Sequence, residues 1–219
     1  MIRDQTLEYY QKRAPEYDQM VYFRDDPDRK AELAAMYATS QNAMSGRRVL
    51  DVACGTGFFT RIVAEKAASI LGIDINAGTI AEAGRKQFRC PIHFVRADFF
   101  RLPSVPSCFD GLLATFAVSH IRRQELERLR EETARVLRPG SWAFLCDNNL
   151  DCEVERELVW DDDRVNSYKK RRLKNGEEFV ILKNYYSRDE LEVTFGRWGA
   201  IERLTFGTYY WSVVLTVKG

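Results

Sequence analysis

Histidine is the scarcest chemistry-bearing residue in this 219-residue chain: only His93 and His120 are present, too few to build a histidine-ligated metal centre. Net charge is also missing. Thirty-three Lys and Arg stand against 32 Asp and Glu, leaving +1, so no global field recruits nucleic acid or an anionic membrane surface. No stretch approaches the ~18 consecutive apolar residues of a membrane span. The opening MIRDQTLEYYQKRAPEYD lacks the apolar core of a secretory leader, so the expected location is cytoplasmic. The five cysteines, Cys54, Cys90, Cys108, Cys146 and Cys152, are odd in number, scattered and without a C-x-x-C pair, which fits reduced structural thiols rather than disulfides or zinc ligands. There are no repeats and no low-complexity linkers. With 45% hydrophobic residues, the composition supports one domain over 1–219 with an ample core.

What is present centres on VLDVACGTGFFT, residues 49–60. Val49, Leu50 and Val52 read as a buried strand, and the small residues Ala53, Cys54, Gly55, Thr56 and Gly57 cannot continue it. Phe58, Phe59, Ile62 and Val63 then recur at helical spacing, so the turn opens a helix and offers backbone N–H groups to a ligand. The dinucleotide fingerprint G-x-G-x-x-G is not met, because Phe59 and Thr60 stand where a third Gly belongs. Asp51, expected inside this turn, would repel a diphosphate but help hold a ligand with an amino group or a sulfonium. The stretch resembles motif I of the class I S-adenosylmethionine-dependent methyltransferases, [DE]-x-[GA]-x-G-x-G, through Asp51, Ala53, Gly55 and Gly57.

Further strand ends carry matching chemistry. Ser69 to Asp74 is a second strand ending in an acid, placed where doubly wound sheets bind ribose hydroxyls; Asn76 can cap the helix of 77–88, and Ile75 would pack on a base. Residues 91–95 form a third strand, after which Asp98 can accept from an exocyclic amine beside the Phe99 backbone. A fourth strand, 109–115, ends at Thr115, lining the same crevice, with His120 just beyond. A helix follows, which Pro139-Gly140 closes, and a fifth strand covers 141–146. This alternation predicts an α/β, doubly wound sheet of seven strands. The terminal strands 200–206 and 209–217, joined by Gly207-Thr208, make the last one antiparallel. Ser187 and Glu190 read as a capping box.

The expected divisions are a helical segment over 1–45, a core over 46–150, an insertion over 151–186 and a closing part over 187–219. The insertion opens with seven acids in 151–163 and continues with five bases in 169–174. Internal pairing or a solvated face explains them better than nucleic-acid binding. Asn175-Gly176 between the two flanking runs predicts a hairpin with a type I′ turn.

The resemblance implies S-adenosylmethionine as cofactor, S-adenosylhomocysteine as product, and an N-terminal lid in which Tyr10, Arg13 and Tyr17 close over the methionine end. It implies methyl transfer to a small-molecule acceptor, with His120 as the candidate base. The [DN]-P-P-[YF] run is missing after strand four, disfavouring DNA amines as acceptors. Asp147-Asn148 matches only part of a catechol-type magnesium site, so no metal is assigned. Two alternatives stay open: a non-catalytic S-adenosylmethionine sensor and a nicotinamide-dinucleotide oxidoreductase. Acceptor identity and oligomeric state are not legible.

Overall fold

The computed structural model describes residues 4–18, 26–103, 105–150 and 158–218. Seven strands form one sheet: β1 Arg48–Val52, β2 Ser69–Asp74, β3 Ile92–Arg96, β4 Phe109–Thr115, β5 Leu137–Asn148, and, after the insertion, β9 Gly199–Phe206 and β10 Tyr210–Val217, in the order β3-β2-β1-β4-β5-β10-β9. The first five run parallel. Strand β10 lies antiparallel to both β5 and β9; the three residues between β9 and β10, one more than the expected Gly207-Thr208, are too few for a parallel crossover.

Period-two alternation explains why both faces are covered. Leu50 and Val52 of β1, Leu112 of β4, Leu145 of β5 and Val213 of β10 point to one cluster with Leu126 and Leu129 of α5 (Leu126–Val136) and Leu191 and Phe195 of α6 (Arg188–Gly196). Their neighbours Val49, Leu113, Phe144 and Val214 point the other way, onto Met36 and Ala43 of α2 (Pro27–Ala43) and Phe59 and Val63 of α3 (Phe58–Val63). Helix α2 is started by Asp26, whose side chain accepts from the Asp28 and Arg29 amides. The Ser187–Glu190 capping box is formed at α6.

Several local expectations are corrected. Helix α4 spans Ala77–Gly84, shorter than 77–88, and the Asn76 side chain does not cap it; instead Asp74 Oδ1 accepts from the Asn76 amide at 2.8 Å. Strand β5 begins at Leu137, because Pro139 forces the residue before it into extended backbone; Gly140, at φ 76°, lies by a register shift against β4. The insertion is a separate sheet of β6 Leu158–Trp160, β7 Ser167–Arg172 and β8 Glu178–Leu182. Its hairpin is not type I′. The Gly176 amide bonds the Leu173 carbonyl at 2.9 Å and the Leu173 amide bonds the Glu177 carbonyl at 3.0 Å, while only Gly176, at φ 91°, is left-handed. That is a type I turn closed by a glycine bulge. Of the seven acids, Asp151, Glu153, Glu155 and Glu157 lie outside the described residues.

Helix α1 (Thr6–Arg13) docks on this sheet as though adding to its edge. The Gln5 amide and side-chain Oε1 bond the Val180 carbonyl and amide at 2.9 and 3.0 Å, and Thr6 Oγ1 accepts from the Leu182 amide at 2.9 Å. Tyr9 is buried with Leu173, Phe179 and Ile181.

Candidate functional site

At the carboxyl end of β1 the chain turns through three left-handed residues, Ala53 (φ 54°), Gly55 (φ 55°) and Gly57 (φ 72°). Gly57 has a second reason to be glycine: a Cβ there would approach Ala83 Cβ to 3.2 Å. Ala53 adopts a conformation that costs an L-residue about 1 kcal/mol, so strain is concentrated at this turn. The acid expected inside the turn sits one step earlier, within β1. Asp51 is fully buried; Oδ2 accepts from Thr60 Oγ1 at 2.6 Å, and Oδ1 has no partner among the described residues. Burial raises its pKa to about 7.

Asp74, at the end of β2, accepts from the Gly55 amide at 3.0 Å, clamping the turn from below. Burial raises its pKa as well. Ile75 is half-buried beside it. Past β3, Asp98 folds into a turn with the Phe100 amide at 2.8 Å, and Phe99 stacks edge-on with Phe100. Thr115 is buried at the end of β4. Register places Asp51 opposite Gly72 and Leu113 in its neighbours, so these groups lie along one end of the sheet, the end where open α/β sheets bind ligands.

Residues 10–18 cross this end. Asp18 accepts from Thr56 Oγ1 at 2.6 Å and pairs with Lys86, whose Nζ also donates to the Thr56 carbonyl at 2.5 Å. Gln11 accepts from the Gly78 amide at 3.2 Å. Arg13 donates to Tyr9 Oη at 2.7 Å and lies over the Tyr17 ring at 5.0 Å, while Tyr17 and Tyr10 are 6.1 Å apart. Tyr10 Oη meets His120 Nε2 at 2.8 Å. His120 Nδ1 lies 2.6 Å from the Leu182 carbonyl; only an N–H can make that bond, so Nε2 is the acceptor for Tyr10. Burial, followed by the charge of Lys183, pushes the imidazole pKa well below its usual range.

A family model described as "Methyltransferase domain" matches residues 49–140. The solved structure described as "DhpI-SAH complex structure" superposes with a TM-score of 0.76 at 25% identity, covering 98% of this chain and 96% of that one. The "DhpI-SAM-HEP complex" gives 0.74, again at 25%, over 95% and 94%. Among curated relatives, a phthiotriol/phenolphthiotriol dimycocerosates methyltransferase of Mycobacterium ulcerans is 32% identical over 152 residues, 66% of this chain and 55% of the relative. The chain has the fold of the class I S-adenosylmethionine-dependent methyltransferases, and residues 49–140 match a methyltransferase domain. An O-methyltransferase of Aspergillus nomiae matches at 32% over 60% of this chain and 63% of its own length, so the chain spans between half and two thirds of these two relatives.

The structure also shows buried polar groups that motif reading passed over. Lys183, directly after β8, is buried and donates to Asp147 Oδ1 at 2.8 Å, Ser119 Oγ at 2.7 Å and Asn148 Oδ1 at 3.1 Å. Asp147 Oδ2 accepts from the Ser119 amide at 3.0 Å. The Asp147-Asn148 pair is therefore committed to an ammonium. The available signal was a lysine ending the otherwise apolar run Phe179 to Leu182, where a cation is buried only if paired. Neither Gln11 nor Asp18 carried any motif. No helix among the described residues is long and apolar enough to cross a membrane.

Proposed function

We propose that the chain transfers a methyl group from S-adenosylmethionine to a small-molecule acceptor, within one catalytic unit closed by the segment before residue 45. One observation carries this: the buried, partnerless Asp51 Oδ1 beside the left-handed turn of Ala53, Gly55 and Gly57. An orphaned carboxylate oxygen in such a place asks for a cationic or N–H-bearing ligand. The cofactor, with its ammonium and sulfonium, fits, and a dinucleotide diphosphate does not. Asp74 would receive ribose hydroxyls, Ile75 would pack on the base, and Asp98 with the Phe99 backbone would meet its amine. Thr115 would line the crevice. Arg13, Tyr10 and Tyr17 would cover the methionine end and keep water out.

When bound, the cofactor supplies an electrophilic methyl whose bond to sulfur breaks in line as the bond to the acceptor forms, leaving the electron pair on sulfur in S-adenosylhomocysteine. The chain's own work is alignment and proton removal. Tyr10 Oη can accept a proton from an acceptor hydroxyl while passing its own to His120 Nε2. The imidazole is held neutral, in the tautomer that receives. Four described cysteines are free thiols, in keeping with a cytoplasmic setting.

Calorimetry tests the binding step: micromolar S-adenosylhomocysteine affinity lost in Asp74→Ala supports the reading, and tighter binding of a nicotinamide dinucleotide overturns it. A labelled-methyl assay against metabolite, protein and RNA pools tests the acceptor class. Label only in macromolecules contradicts a small-molecule acceptor, and tight binding with no label in any pool favours a sensor.

A further inference from the structure

One face of the insertion sheet carries cations toward the lid. In the β7–β8 register Lys169 stands opposite Ile181 and Arg171 opposite Phe179, and the Lys183 amide bonds the Ser167 carbonyl at 2.9 Å. Directly opposed residues of an antiparallel pair share a face. Lys169, Arg171 and Lys183 are therefore on the side where Phe179 and Ile181 pack against Tyr9 and Tyr10. Lys183 is answered by Asp147. Arg171 is different. Its Nε is buried and has no hydrogen-bond partner among the described residues, and its charge reaches Tyr10, His120 and Lys183. Glu16, on the same side of the lid, is 3.7 Å from Lys174 instead.

Arg171 as a whole is half-buried, and a guanidinium N–H turned inward without an acceptor is costly. The planar fork of Arg171 suits a two-oxygen anion better than any neutral group. Two of the three groups that its charge reaches, Tyr10 and His120, are those that would handle the acceptor proton. We infer that Arg171 receives an oxyanion of the methyl acceptor, a carboxylate or a phosphonate or phosphate, and so places the acceptor beside Tyr10 and His120. This rests on the methyltransferase reading above. Lys183, with its donors spent on Asp147, Ser119 and Asn148, adds positive field without touching the anion.

The test uses the full chain saturated with S-adenosylhomocysteine and matched probes: benzoate against benzamide, and phenylphosphonate against benzyl alcohol. Calorimetry should show binding of the anions and not of the neutral partners, and the relative affinities of benzoate and phenylphosphonate separate the carboxylate from the phosphorus oxyanion. Arg171→Gln should weaken the anion by about tenfold or more, with Arg171→Lys intermediate. The unliganded Arg171→Gln protein should melt at or above the wild-type temperature, since no partner is lost. Equal binding of anion and neutral probe overturns the inference. So does full anion affinity in Arg171→Gln, or a lower melting temperature in that variant, which would mark a structural cation. If S-adenosylhomocysteine binds while anions do not, this inference alone falls. If S-adenosylhomocysteine itself fails to bind, the methyltransferase reading falls with it.

Discussion

Tyr10 and His120 stand 110 positions apart and meet at 2.8 Å, Oη to Nε2. Through this one bond the first helix of the chain fixes the group that follows the fourth strand. The Leu182 carbonyl on the other ring nitrogen, at 2.6 Å, leaves no freedom of tautomer. The lid, the insertion strand β8 and the end of β4 therefore converge on a single imidazole.

If the pair moves a proton, removing either member must cost rate more than cofactor affinity. His120→Asn is expected to lower kcat by about a hundredfold or more on a hydroxyl acceptor. Tyr10→Phe should lower it by less, with S-adenosylhomocysteine affinity kept within a few-fold. Since burial and Lys183 depress the His120 pKa below 6.5, kcat/KM should stay level as pH falls through 6.5 and drop only below it. An acid limb centred at 6.5 would contradict the assignment. The same shift favours protonation of the unfolded chain, so this histidine's contribution to stability is present above pH 6.5 and declines as pH falls below it.

Asp51 gives the opposite sign. Its folded pKa of about 7 stands above the unfolded 3.8 because of burial, so between pH 4 and 7 the native state holds a proton the unfolded chain has shed. Stability should fall as pH rises through that window. Asp51→Asn should remove the slope, raising unliganded stability at pH 8 by up to a few kcal/mol with little gain at pH 4, while weakening S-adenosylhomocysteine. Thermal melts of both proteins from pH 4 to 8 check this. Parallel pH profiles would show that Asp51 is ionised and stabilised by contacts other than Thr60.

The sheet was readable because its signal is local: apolar runs of strand length, each ended by small residues or an acid. The acids of β1 and β2 were found for the same reason, and the capping box at Ser187 is a four-residue pattern. What escaped was decided by distant partners. Lys183 is buried because Asp147, 36 positions away, pairs with it, and neither residue announces the other. The hairpin failed on one backbone angle: Asn175-Gly176 suits a two-residue type I′ turn, but the loop takes in Lys174 as a third residue and only Gly176 stands at positive φ. Asn76 stands at the start of α4 but its side chain makes no capping bond; only its backbone amide is engaged, by Asp74.

The lid is held by its hydrogen bonds to β8, so loosening those bonds should expose it. Thr6→Val removes the acceptor for the Leu182 amide at 2.9 Å and should cost about 1 kcal/mol. The expected result is faster protease cleavage between residues 4 and 18, slowed again by S-adenosylhomocysteine, since a lid that shapes the site is ordered by its ligand. Cleavage rates indifferent to ligand, together with unaltered affinity after truncation before Ala43, would make the segment a plain cover and remove Arg13 from the site.

The ion pair of Lys183 with Asp147 is almost fully buried, at 4% and 1% side-chain exposure, so breaking it should be expensive on one side and cheap on both. Lys183→Met strands a carboxylate whose pKa, against the pull of burial, Lys183 holds low; a loss of about 3–5 kcal/mol is expected. Adding Asp147→Asn should restore much of it, because the amide oxygen can still accept from Ser119 and no charge is left unpaired. Lys183 also lies among the groups that depress His120, and Asp147, left alone, favours the imidazolium. In Lys183→Met the His120 resonances should therefore titrate at a higher pH than in the wild type, and the double variant should lie between. The chain contains only His93 and His120, so two imidazole signals suffice for the assignment by nuclear magnetic resonance. An unmoved His120 titration, with the stability loss present, would confine Lys183 to a structural role.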